Sequence, residues 1–186
     1  MMENLKITKL DAVRRQLETA IRLYFDSADP VSIHTLAAAA YNAFRDFNKK
    51  SGGKPLMTKE VTIDCLKDAS KKELRDKINA AENFFKHADK DHGEILEFSP
   101  RQSEFLIFDV CVWWCSYSGE DPVLFRLFKA WFMRQNPYIF EGSGIETVND
   151  LLDTKTMGRK EFYDSAMPLL VSPPGERWVL IRQPML

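Results

Sequence analysis

The stretch FLIFDVCVWW, residues 105–114, contains nine apolar residues in ten and a single aspartate. Ser99 and Pro100 precede it, and a serine followed by a proline is a common start signal of a helix. We therefore predict a helix over about residues 100–118. Because this segment is apolar on nearly every side, the helix should lie at the centre of a bundle rather than on its surface.

Helical periodicity also dominates the rest of the chain. Asp29 and Pro30 are suited to the N-cap and the first turn of one helix. Ser70 and Glu73 form a capping-box pattern at the start of another. Further helices are predicted over residues 8–27, 30–47, 71–90 and 122–135, with weaker ones near residues 59–67, 145–152 and 159–170.

The composition fits one ordinary domain. The chain has 186 residues, 45% of them hydrophobic, and a formal net charge of −1. A chain of this length buries a full core without help from a disulfide or a metal. We predict one all-α domain over residues 1–186, a single-domain bundle of about six or seven helices, in which residues 136–186 form a looser C-terminal portion. Minor extended segments at residues 94–98 and 178–181 are the only β structure expected.

Several classes of protein are disfavoured by composition and motifs. The near-neutral charge argues against a strongly electrostatic nucleic-acid binder. The three cysteines, Cys65, Cys111 and Cys115, show no CxxC spacing and are predicted to be reduced, buried thiols. No HExxH, P-loop or GxSxG motif occurs, so we expect no metal and no cofactor. Without a signal peptide or a membrane-length apolar run, a cytoplasmic location in a bacterial-type cell is expected, with no membrane partner.

His87 and Asn83 are candidate catalytic residues. The spacing places Asn83, His87 and Asp91 on one face of the predicted helix over residues 71–90. An imidazole beside a carboxamide and a carboxylate is suited to acid–base chemistry. The alternative is structural: a histidine at a helix end, stabilised by the helix dipole and hydrogen-bonded to Asp91.

Asp109, His34 and Arg45 are candidate ligand-binding residues. Asp109 is the one charge in the apolar stretch, so its carboxylate must be paired, hydrogen-bonded or protonated. Arg45, His34 and His87 are its candidate partners. His34 lies in the first turns of its helix, where a neutral imidazole is expected. A structural ion pair and a site for a metal or small ligand inside the bundle are both compatible with this pattern.

Aromatic residues are concentrated in one part of the chain. Eleven of the 22 fall between residues 105 and 140. They predict either the middle of the bundle or an exposed surface of a homodimer, where aromatic residues are enriched. Large apolar surfaces are uncommon on monomers, which favours the core.

Three stretches resemble a family of small bacterial helical proteins: RRQLETAIRLYF (14–25), PVSIHTLAAAAYNAF (30–44) and AENFFKHAD (81–89). This resemblance implies a helical fold and supplies no mechanism. The ENFFKH segment is also similar to HEPN domains, helical bundles that often dimerise and, in toxin members, cleave RNA. Their motif combines an arginine, a polar residue and a histidine on one helix. Asn83 and His87 match the last two, while Glu82 occupies the arginine position, where a carboxylate would repel phosphate.

Three functions follow as hypotheses. The first is a non-catalytic, homodimeric helical module that binds another macromolecule of unknown identity. The second is a HEPN-like enzyme that cleaves RNA with His87 and Asn83. The third is a metal or small-ligand site inside the bundle, built from His34, His87 and Asp109.

Overall fold

The fold consists of helices arranged around one apolar segment. The computed structural model describes residues 4–65, 67–87, 93–140 and 157–171, and within these ranges it has seven α-helices and no strand. The α-helices are α1 Lys9–Phe25, α2 Pro30–Lys50, α3 Thr62–Asp64, α4 Asp68–Lys86, α5 Arg101–Ser118, α6 Val123–Gln135 and α7 Arg159–Val171. A π-helical turn at Met57–Val61 (the 57–61 turn) precedes α3, and a 3-10 turn at Pro137–Ile139 follows α6. The predicted all-α class is confirmed.

Side-chain caps determine where the first two helices begin. The Thr8 hydroxyl accepts the backbone N–H of Asp11 at 3.1 Å, and the Asp11 carboxylate accepts that of Thr8 at 3.1 Å, which completes a capping box at α1. At α2 the Asp29 carboxylate accepts the N–H of Ser32 at 2.7 Å, with Pro30 in the first turn. The predicted start of α2 is therefore confirmed.

The start of α4 differs from the prediction. The helix begins at Asp68, before the expected cap at Ser70, and Lys67 at the N-cap makes no side-chain bond. Glu73 does not fold back onto the backbone; its carboxylate accepts a hydrogen bond from Lys77 at 2.8 Å. Glutamate and lysine four residues apart meet on an exposed helix face, and that contact replaces the capping box.

The central position predicted for α5 is confirmed. It packs against α1, α2, α6 and the 57–61 turn. The helix ends at Gly119, whose positive φ of 74° suits a residue without a Cβ. Its sequence of buried apolar residues thus forms the middle of the bundle, which places Asp109 in the interior.

Most of the concentrated aromatic residues belong to this core. Phe108 stacks on Phe132 with ring centroids 4.2 Å apart, and Trp114 packs edge-on against Phe125. The buried members are Phe108, Trp114, Phe125, Phe128, Trp131 and Phe132, and four others are partly buried against the core. Tyr138, at 74% exposure, is the exception. The aromatic concentration is therefore accounted for largely by packing.

A buried polar network attaches α7 to the bundle. The Tyr24 hydroxyl donates to Glu104 at 3.0 Å and accepts from the indole N–H of Trp131 at 2.9 Å. Arg159 of α7 lies 3.6 Å from the Glu104 carboxylate and 4.0 Å over the Tyr24 ring. Four helices thus meet at these polar groups, whose hydrogen bonds satisfy one another in the interior.

Other details of the prediction are corrected or fall outside the described residues. Cys111 is buried as expected, but Cys65 and Cys115 are exposed. Cys115 follows Trp114, whose ring takes the inward position against Phe44 and Phe125. Residues 94–98 are neither helix nor strand. The helix expected near residues 145–152 and the extended segment at 178–181 lie outside the described ranges.

Candidate functional site

The Asp109 carboxylate holds the start of the 57–61 turn. Its Oδ1 accepts the backbone N–H of Met57 at 3.2 Å, and its Oδ2 accepts that of Thr58 at 2.8 Å. The Tyr41 hydroxyl is close enough to this carboxylate to lower its pKa. Burial raises the pKa of Asp109 above its ordinary value, although these hydrogen bonds act in the opposite direction. Asp109 therefore acts as a cap supplied by a distant helix.

The remaining free N–H groups of the turn are satisfied as well. The first four N–H groups of any helical segment lack partners within the helix. Lys59 donates its N–H to the Tyr41 hydroxyl at 3.1 Å, and Leu56 donates to the Glu60 carboxylate at 2.8 Å. A short turn packed beside α5 thus leaves no N–H unpaired from residue 56 to residue 59.

Lys59 connects the turn to α2 and α4. Its ammonium lies 2.8 Å from the Glu82 carboxylate, and the two side chains are 5% and 11% exposed. Lys86 and Asn42 also donate to Glu82, and Lys59 donates to the Asn42 carbonyl oxygen at 3.1 Å. Burial would raise the pKa of Glu82, but these donors lower it to about 2. The pair is therefore ionised, and it fixes α4 against the turn.

The predicted partners of Asp109 are wrong. None of the three named candidates, Arg45, His34 and His87, is hydrogen-bonded to its carboxylate; the partners are the backbone N–H groups of Met57 and Thr58. The Arg45 guanidinium lies 3.3 Å from Asp46, at the surface of α2. Free N–H groups at the start of a turn satisfy a buried carboxylate without a cation, and they cannot be recognised from residue types.

His34 is buried between α2, α4 and α5. It is 1% exposed, and its Nδ1 lies 3.1 Å from the Ser103 hydroxyl. The rings of Phe85 and Phe98 pack edge-on against the imidazole at centroid distances of 5.8 and 5.0 Å. Burial lowers the pKa of His34 to about 4, so the ring is neutral at physiological pH, as the sequence predicts. Its Nε2 has no hydrogen-bond partner within the described part of the chain.

A cavity of about 290 Å³ lies beside this histidine. Four apolar side chains line it, namely Leu74, Ile78, Phe105 and Leu106. The polar lining comes from His34, Thr58, Lys77 and Gln102. The backbone N–H of Thr58 is held by Asp109, so the capped turn supplies one wall of the cavity.

Gln102 is the second polar group of the cavity that lacks a partner. Its Oε1 is buried and makes no hydrogen bond to any described residue. Sequence analysis missed this residue, because a glutamine in the first turn of a helix is ordinary and nothing in its neighbourhood marks it. The described residues contain five buried side-chain nitrogen or oxygen atoms without a partner, and two of the five belong to residues that line this one cavity, which marks it as a candidate ligand site.

His87 and Asn83 do not lie in the cavity. Helix α4 ends at Lys86, so His87 is extended, with φ −132° and ψ 136°, rather than helical as predicted. Its backbone N–H donates to the Asn83 carbonyl oxygen at 3.0 Å, and both side chains are exposed. Glu82 points to Lys59 in the interior instead. Asp91, the expected third member of this face, lies outside the described residues.

Comparison of the chain with models of protein families, with curated proteins and with solved structures yields no match. Among the described residues, no three side chains of His, Cys, Asp or Glu converge as a metal site would require. No described helix combines the length and the apolar character needed to cross a membrane. The candidate site therefore has to be interpreted from its own geometry.

Removing one partner of the Lys59–Glu82 pair should destabilise the fold strongly. Glu82→Leu leaves a buried ammonium without its carboxylate and should lower the free energy of unfolding by about 3–5 kcal/mol. Adding Lys59→Met removes the orphaned charge, so the double variant should recover most of this loss. Urea unfolding followed by circular dichroism measures both effects.

The exposed pair of Glu73 and Lys77 on the same helix provides the matched control. Glu73→Leu should leave the free energy of unfolding nearly unchanged, since that carboxylate is already in water. A double variant as unstable as Glu82→Leu alone would contradict the structural role assigned to this ion pair.

Acidification should destabilise the protein through His34. Because the folded pKa of about 4 lies below the ordinary value of 6.5, only the unfolded chain binds this proton between the two values. Its contribution to the free energy of unfolding is complete above pH 6.5 and is lost as the pH falls towards 4. Through this histidine, the free energy of unfolding of the wild type should fall by roughly 2–3 kcal/mol between about pH 7 and about pH 4.5.

Two histidine variants isolate this effect. His34→Gln removes the titrating ring, so its free energy of unfolding should depend much less on pH over the same range. His87→Gln, at an exposed position, should keep the pH dependence of the wild type. If His34→Gln lost as much stability on acidification as the wild type, the neutral buried imidazole would be refuted.

Proposed function

We propose that this helical domain binds a small organic molecule in the cavity beside His34. The observation that carries the proposal is the cavity of about 290 Å³, whose lining includes four apolar side chains and two residues, His34 and Gln102, that each carry a buried polar atom without a partner. Leaving such an atom without a hydrogen bond costs about 1–3 kcal/mol. A ligand that fills the cavity buries its own apolar surface against the surrounding side chains, and it recovers this free energy where the side chain of His34 or Gln102 turns towards it.

The composition of the cavity supports a small ligand. Binding sites for small molecules are concave, mostly apolar and carry a few polar groups that orient the ligand. A cavity of about 290 Å³ is near the lower end of their usual size. An engineered apolar cavity of about 150 Å³ already takes up benzene. A single ring with a polar substituent is therefore a suitable occupant.

The two other hypotheses remain predictions with less support. The aromatic residues that prompted a macromolecule-binding homodimer lie largely in the core, and Tyr138 is exposed among them. The HEPN-like cleavage of RNA by His87 and Asn83 is favoured by the exposure of both side chains. It is disfavoured by Glu82, which occupies the position of the family's arginine. The carboxylate of Glu82 forms an ion pair with the buried Lys59.

Filling the cavity should abolish binding. In a fragment screen by ligand-observed NMR, compounds that bind wild type should lose at least about tenfold in affinity with Ile78→Trp, because the indole occupies the cavity. Arg75→Trp introduces the same side chain at an exposed position of the same helix and should bind as the wild type does. Circular dichroism checks that both variants are folded.

The proposal would be contradicted by a screen in which no fragment binds. It would also be contradicted if fragments bound equally to wild type and to a folded Ile78→Trp variant, since they would then occupy another surface.

A further inference from the structure

We infer that residues 68–78 of α4, the lid segment, open and close over the cavity independently of the rest of the helix, and that a small apolar molecule in the cavity holds them closed. This inference rests on the proposed binding function and specifies how the same site opens. The wall of the cavity that moves is the one that Leu74, Lys77 and Ile78 form. The walls from α2, α5 and the 57–61 turn stay in place.

The lid segment has no polar attachment to the bundle. Its two ion pairs, Asp68 with Lys71 at 3.0 Å and Glu73 with Lys77 at 2.8 Å, both lie within α4. As far as the structure describes the chain, no side chain of the lid segment forms a hydrogen bond or an ion pair with another helix or turn. The polar contacts therefore hold the segment to itself and not to its surroundings.

The apolar packing of the lid segment is incomplete as well. Leu74 and Ile78 are half-buried, and the cavity separates them from Phe105 and Leu106 of α5. Side chains that line an empty space lose the dispersion contacts that a filled interior would supply. Among the described side chains of α4, Ala81 alone is buried, and it lies beyond the lid segment. Packing thus stabilises this half of the helix only weakly.

The start of α4 also lacks a cap. Lys67 at the N-cap makes no side-chain hydrogen bond to the helix, whereas Thr8 and Asp29 cap α1 and α2. An uncapped helix leaves N–H groups of its first turn without protein partners. A helical segment of about three turns is marginal in water unless tertiary contacts support it. Local opening of the lid segment should therefore cost much less free energy than unfolding of the whole domain.

The second half of α4 is anchored where the lid segment is not. Glu82 forms its buried ion pair with Lys59 at 2.8 Å, and Phe85 packs edge-on against the imidazole of His34. Opening that begins at the first turn of α4 is expected to stop at these contacts. A molecule in the cavity touches both the lid segment and α5, so it supplies the packing that the empty protein lacks. Each opening then releases the molecule, and binding favours the closed state.

Amide hydrogen exchange followed by NMR, with benzene as the probe, tests this coupling. Without benzene, the amides of residues 74–78 should exchange at least about tenfold faster than those of residues 82–85, after correction for sequence-dependent rates. With benzene, they should slow by the same factor as the slowest amides of the core, because both kinds of opening release the molecule. The amides of Lys49 and Lys50, at the exposed end of α2, should keep their rates.

A designed cap tests whether the lid segment opens from its first turn. Lys67→Asp places a favourable N-cap residue at the uncapped position, so without benzene the amides of residues 74–78 should exchange at least about threefold more slowly. Lys54→Asp makes the same change of charge at an exposed loop position and should leave these rates unchanged. Equal rates in Lys67→Asp and wild type would overturn the inference.

The benzene experiment separates the inference from the proposed function. If benzene slows the slowest core amides and not those of residues 74–78, it binds without closing the lid segment, which overturns the inference and leaves the proposed function standing. Equal protection along the whole of α4 without benzene would also overturn the inference alone. If benzene slows no amide, the cavity does not hold an apolar ring and the inference fails. The proposed function falls with it only when the fragment screen is empty too.

Discussion

The fold around the candidate site depends on one buried carboxylate that caps a turn from another part of the chain. Asp109 lies in α5, the most apolar of the helices that the structure describes, where an ionised group without partners would be unstable. The backbone N–H groups of Met57 and Thr58 supply those partners. The same two bonds satisfy the start of the 57–61 turn, so burying the carboxylate and burying the turn make each other possible.

The geometry of the cavity follows from this arrangement. Once the turn is fixed on α5, the backbone of Lys59 bonds to Tyr41 and its ammonium reaches Glu82, which holds α4 at a defined position against α2. Thr58 then lines one side of the cavity and Ile78 of α4 another. The polar contacts of the turn are thereby connected to the cavity that His34 and Gln102 line, and this connection is the physical basis of the proposed binding function.

Local signals in the sequence predicted the helices well. The cap at Asp29 and the apolar segment at residues 105–114 identify α2 and the central α5, because both signals act over one or two turns. The burial of Asp109 and the neutral state of His34 were also predictable, since each follows from the position of one residue on one helix. Two local expectations failed at the ends of α4, and the others that failed join distant segments.

The partners of Asp109 are backbone groups some fifty residues away, and residue types carry no information about them. Gln102 became a candidate only when the packing of α2, α4 and α5 left its oxygen without a partner. His87 shows a different error: helical spacing grouped it with Asn83, but α4 ends one residue before His87.

The most direct test of the role of Asp109 in holding the 57–61 turn is amide hydrogen exchange in Asp109→Asn. One carboxylate oxygen is lost there, so the amide of Met57 or of Thr58 loses its acceptor and should exchange at least about tenfold faster relative to those of α1. Unchanged protection at both amides would contradict the claim that Asp109 holds the turn.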